Sequence, residues 1–180
     1  MRLWPDRAGI RVVPSAARVN AGGMISSEDL LFYVDDALDG MAGIVAELGD
    51  ALANRRPDLP GANSPYAILT HCLGVMEFWG GAAVAGRPVE RDRAAEFLAT
   101  GSVDELVARV ALARAQLRKD IEGLDPAAPP HGASNPADDG APFTTSKGGV
   151  LIHMYKELAQ HHGQMEVTRD VLQAPWAQVV

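Results

Sequence analysis

The stretch KELAQHHGQ, residues 156–164, sets two adjacent histidines one helical turn after a glutamate. Neighbouring side chains on a helix diverge by about 100°, so His161 and His162 serve different faces. Steps of four, four and three residues place His153, Glu157, His161 and Gln164 on one polar stripe, which favours His161. His162 falls off that stripe, and the sequence defines no role for it. On a helix the β-carbons of Glu157 and His161 lie roughly 5–6 Å apart. That spacing lets a carboxylate and an imidazole share one metal ion. It equally suits a surface pair worth a few tenths of a kcal/mol.

A third ligand must come from another helix. The candidate is His71, inside AILTHCLGVMEFW. Facing helices of a bundle build metal sites in their shared interior, although a histidine on an apolar helix is more often a satisfied core residue. Three protein ligands would leave coordination positions open for water or substrate, the pattern of a catalytic rather than a structural site. A mixed nitrogen and oxygen set suits zinc, with nickel, iron or manganese also admitted. His153 lies two turns, roughly 12 Å, from His161, so it is read as a substrate-pocket or surface residue. Trp79, two turns beyond His71, is a candidate pocket wall or a core residue. Arg91 and Arg93, in the run ERDR, could grip an anionic substrate or simply lie on a solvated connection. Cys72 adjoins His71 in sequence but diverges from it on a helix, so it reads as a small buried filler rather than a nucleophile.

The elements that would carry these residues are helices, with no competing strand alternation. The first begins at Ser26 or Ser27 and runs to about Arg55. The second opens with Ser64 as N-cap and Pro65 at the first helical position, and runs to about Ala85, apolar on nearly every side. A polar connection follows, with a short helix around Ala94 to Leu98. The third opens on Ser102 and Glu105 at capping-box spacing. A long Pro- and Gly-rich loop precedes the fourth, which starts near Ser146 and runs to about Leu172, with Gly148 and Gly149 weakening its first turn. These segments predict an all-α, antiparallel four-helix bundle over residues 25–180, with one long loop before the last helix. Residues 1–24 read as a disordered extension, with Met24 an alternative start.

Of the 180 residues, 47% are hydrophobic, which suits one globular domain, and the net charge of −7 argues against a nucleic-acid surface. The single cysteine excludes an internal disulfide framework and fits a reducing cytoplasm. No run reads as long enough to cross a bilayer.

Three stretches, LTHCLGVMEFW, RDRAAEF and HMYKELAQHHGQMEVTRD, together resemble the DinB-like superfamily. Within it they resemble the actinobacterial branch of mycothiol-dependent transferases and the N-terminal domain of maleylpyruvate isomerase. The likeness spans about residues 26–172. It implies a four-helix bundle holding a divalent metal through His71, Glu157 and His161, with Gln164 orienting a ligand or a metal-bound water. It further implies activation of a low-molecular-weight thiol, mycothiol, for attack on an electrophile entering near the 124–145 loop, and a homodimer. Maleylpyruvate isomerases carry a further C-terminal domain, which puts isomerase activity in doubt here. A non-catalytic metal- or small-molecule-binding protein of stress response is the competing reading, and a metal-dependent hydrolase the third.

Overall fold

The computed structural model describes residues 25–132 and 140–174. The expectations for residues 1–24, and for the last residues of the 25–180 domain, lie outside the described residues. The described chain is all-α: α1 Ser27–Ala53, α2 Pro65–Met76, α3 Arg93–Glu96, α4 Val103–Asp120 and α5 Lys147–Gln173. α2 continues without a break into a π-helical stretch, Glu77–Val84, and a 3₁₀ turn, Pro142–Thr145, precedes α5.

Each long helix starts where a backbone donor finds an acceptor. Ser26 and Asp29 form a reciprocal capping box on α1. Ser64 accepts from the Ala67 amide, and Ser146 from the Gly149 amide. The capping box expected at Ser102 and Glu105 does not form, because Ser102 makes no side-chain cap. Instead Asp50, from the end of α1, accepts the Val103 amide at 2.8 Å. Asn54 adds two bonds to the Gly101 backbone, so the end of α1 pins the start of α4.

The bundle is not a simple antiparallel one. Asp50 against Val103 and Asp35 against Arg118 set α4 antiparallel to α1. Arg55 reaches the Leu172 carbonyl, and Gln173 the Glu47 carboxylate, so α1 and α5 run parallel. α2 packs antiparallel on α5, with His71 against His161 and Trp79 against His153. Tyr66 lies near Gly101 and Gly80 near Leu117, so α2 and α4 also run parallel. Parallel neighbours require a connection that returns along the bundle. Residues 85–102, with α3 among them, make that return. The long connection expected before the last helix is therefore accompanied by an earlier crossover, which passes beside α2.

α2 and its π extension, Pro65–Val84, are long and apolar enough to span a membrane, contrary to the expectation from sequence. Most of that segment, 78%, is buried inside the bundle, so its apolarity is explained by its place in the core. Leu38, Met41, Ile68, Leu69, Leu106, Met154, Leu158 and Met165 fill the space between the four long helices. Gly149 allows the Phe143 backbone to lie against the first turn of α5, where a β-carbon would fall 2.6 Å from the Phe143 carbonyl oxygen. Arg87 clamps the start of the crossover, bonding both oxygens of Asp120 at 2.9 Å and Glu77 at 3.0 Å.

Leu158 is fully buried on the α5 face that meets the core. Leu158→Ala is expected to cost about 2–5 kcal/mol of stability. A urea unfolding midpoint shifted by that amount, at unchanged slope, is the check.

Candidate metal centre

The antiparallel packing of α2 on α5 sets His71 opposite Glu157 and His161. Each residue offers one ligand atom, and the three atoms lie within 4.8 Å of one another. This is the one such group among the described residues. His71 is buried at 3% exposure, while Glu157 and His161 are half-buried. The two imidazoles meet edge to face, with ring centroids 4.9 Å apart.

Partial burial disfavours the imidazolium of His161, and the nearby His71 and Arg93 add to it. Together they outweigh the Gln164 hydrogen bond and the Glu157 charge, and hold the pKa below the ordinary 6.5. His161 is thus neutral at neutral pH, the form that has a lone pair to give. Its Nδ1 lies 2.9 Å from the Gln164 side-chain oxygen. With the Nδ1 proton donated there, Nε2 is left as the ligand atom. Burial pushes the Glu157 carboxyl up, but the Lys156 ammonium 2.6 Å away, with His153 and His161, holds it below the usual value of 4.5. It is therefore ionised. Two imidazoles and one carboxylate, converging from facing helices, form a donor set that fits zinc or another borderline divalent ion.

Behind His71 stands a group that the sequence reading passed over. His71 Nδ1 lies 2.7 Å from Glu96 Oε2. Arg91 grips the same carboxylate twice, at 2.7 and 2.9 Å. Gly74, one turn after His71, makes room for this pair, since a β-carbon there would overlap the Glu96 carboxylate. Phe97 stacks on the His71 ring at 4.4 Å. Glu96 and Phe97 both lie in RDRAAEF, but only the crossover brings them back onto α2.

The other anticipated residues divide. Arg91 is engaged by Glu96, which places it in support of His71. Arg93 remains at the rim, exposed, with its guanidinium 5.4 Å from the Phe97 ring centroid. His153 stacks flat on Phe143 at 3.8 Å, meets Trp79 edge-on at 5.2 Å, and brings Nε2 to 4.0 Å from Glu157 Oε1. Trp79 is itself buried, so it backs that stack rather than facing open space. Phe143, from the 3₁₀ turn, had no signal in the sequence. His162 turns away to α1 and lies over Gly40, where a β-carbon would overlap its ring. Cys72 is fully buried, and burial, with Glu157 and Glu96 nearby, pushes its thiol well up. A cavity of about 720 Å³ between the 87–92 connection and α4 is lined by Gly74, Arg91 and Glu96 but by none of the three candidate ligands.

A family model described as the DinB superfamily matches residues 33–165, and the chain belongs to that superfamily. A crystal structure described as a conserved protein of locus from Enterococcus faecalis has a similar fold, with a TM-score of 0.61. It is 15% identical and covers 83% of this chain and 98% of its own, a likeness of fold alone. No curated protein matches the chain.

The depressed His161 pKa fixes a direction for stability. The unfolded chain takes up the His161 proton first as pH falls, so the metal-free protein loses stability from about the ordinary imidazole value, 6.5, down to the folded pKa. Urea unfolding at neutral pH and about one unit below the ordinary imidazole pKa is expected to show that loss. His161→Gln should make it smaller.

Proposed function

We propose that the protein is a divalent-metal-dependent enzyme that activates an external low-molecular-weight thiol of the mycothiol type. The activated thiol attacks an electrophile, and the reaction runs in a reducing cytoplasm. The observation that carries this reading is the convergence of His71, Glu157 and His161 within 4.8 Å in a DinB-superfamily bundle. The only cysteine in the sequence is buried with a raised pKa, so the nucleophilic sulfur must be brought by a co-substrate.

His71, Glu157 and His161 would hold the ion, leaving positions open for an incoming ligand. When bound, a divalent cation would supply Lewis acidity that lowers the pKa of a thiol and holds it as the thiolate at neutral pH. Gln164 fixes the His161 ring. His153, stacked on Phe143 and set against Trp79 one turn before Glu157, gives the site an aromatic wall on that side. Arg93 at the rim suits an acidic group on either substrate.

Elemental analysis of untagged protein is expected to find about one divalent ion per chain, lost in His71→Ala and in Glu157→Ala. Added metal at a hundred times its Kd should stabilise the wild type by about 2.7 kcal/mol. With a metal-loaded sample, mycothiol should displace chloride from monochlorobimane, releasing a proton, and His161→Ala should abolish this. Metal binding without turnover would favour the non-catalytic reading. Ester or amide cleavage that needs no thiol would favour a hydrolase. A wild type that takes up no metal would end the transferase and hydrolase readings and leave only a non-catalytic small-molecule binder.

A further inference from the structure

We propose that Glu96, held by Arg91, is the positioning residue of the metal centre: it accepts the Nδ1–H of His71, fixes that tautomer, and leaves Nε2 as the ligand atom. The proposal rests on the reading of His71 as a ligand and adds the device that prepares it.

The geometry leaves one consistent neutral tautomer of His71. A carboxylate oxygen 2.7 Å from Nδ1 needs a hydrogen between them, and only the ring can supply it. The other neutral tautomer would set a lone pair against an anionic oxygen at that distance. Arg91 Nη2 also lies 3.4 Å from Nδ1, at the limit of a hydrogen bond. Its hydrogens have better acceptors in the two Glu96 oxygens, at 2.7 and 2.9 Å, so it orients the carboxylate rather than competing for the ring.

The arrangement is also buried and crowded. Glu96 is 9% exposed, where an unpaired carboxylate would be costly. Arg91 meets both oxygens of the carboxylate and His71 meets one of them, so the buried group is fully partnered. Phe97 stacks on the face of the ring, and the missing side chain at Gly74 admits the Glu96 carboxylate to the ring edge. The ring is thereby held in one plane before any ion arrives. A carboxylate that accepts the distal N–H of a ligating histidine raises its basicity and fixes its aim, and removing it typically weakens metal binding about 10–100-fold.

The cavity on the far side of Glu96 makes a selective test possible, because Arg91 and the vacated position in Glu96→Ala would face solvent-accessible space. Zinc affinity is measured by competition with a chromophoric chelator for wild type and Glu96→Ala, with and without formate. In parallel, ¹⁵N NMR reads the His71 tautomer in the metal-free wild type at mildly alkaline pH.

The expected results are zinc affinity about 10–100-fold weaker in Glu96→Ala, partial recovery with formate, and a wild-type His71 protonated on Nδ1 with Nε2 bare. Arg91→Gln should shift affinity in the same direction by less. Zinc binding in Glu96→Ala equal to wild type overturns the proposal. So does a wild-type His71 protonated on Nε2, a measurement that needs neither a folded variant nor bound zinc. A wild type with the expected tautomer that binds no zinc would instead contradict the ligand role of His71 and leave Glu96 as the residue that satisfies a core histidine.

Discussion

The packing of α2 between α5 and α4 is the constraint from which the rest of this molecule follows. α2 is apolar on nearly every side, so its stable place is the interior, and burying it carries His71 inside. A buried imidazole needs hydrogen-bond partners or it destabilises the core. One ring edge finds Glu96, carried back by the crossover. The other ring nitrogen, Nε2, remains for the space shared with Glu157 and His161 on α5. The polar stripe on α5 would otherwise be an ordinary solvated face. Opposite His71 it becomes one wall of an interior site.

The topology decides which residues can serve this site. Because α2 and α4 run parallel, the chain between them must travel back along the bundle, and in doing so it lays Arg91, Glu96 and Phe97 against α2. Arg87 ties the start of that connection to Asp120 and Glu77, and Asn54 and Asp50 tie its end to α1. A segment fixed at both ends in this way can hold a carboxylate in place. Opposite charges surround the site in alternation. Arg91 faces Glu96, Lys156 faces Glu157, and Arg93 stands at the rim beside His161. The carboxylates stay ionised and His161 stays neutral, which is the protonation state that cation binding requires.

Much of this was legible in the sequence, and the limits have physical reasons. Helix starts at Ser26, Ser64 and Ser146 are local signals, as is the four-residue spacing of Glu157 and His161, and both survive folding. His71 could be named because one histidine in a long apolar run has few places to go. Glu96 could not, since its partner is 25 residues away and only the parallel α2–α4 arrangement joins them. The same non-local effect replaced the expected Ser102–Glu105 capping box with a bond to Asp50. It also drew Arg91 inward, although Arg91 and Arg93 look alike in ERDR. The π-helical run that places Trp79 beside His153 leaves no trace in residue periodicity, which cannot separate it from an apolar α-helix.

The most direct test of the central claim is X-ray absorption spectroscopy of the zinc-loaded protein. The account requires two imidazole nitrogens at about 2.0–2.1 Å and carboxylate or water oxygen in the remaining positions. Loss of one imidazole shell in His161→Ala would assign it. A spectrum dominated by sulfur at about 2.3 Å, or one with oxygen ligands alone, would place the ion elsewhere and contradict the site.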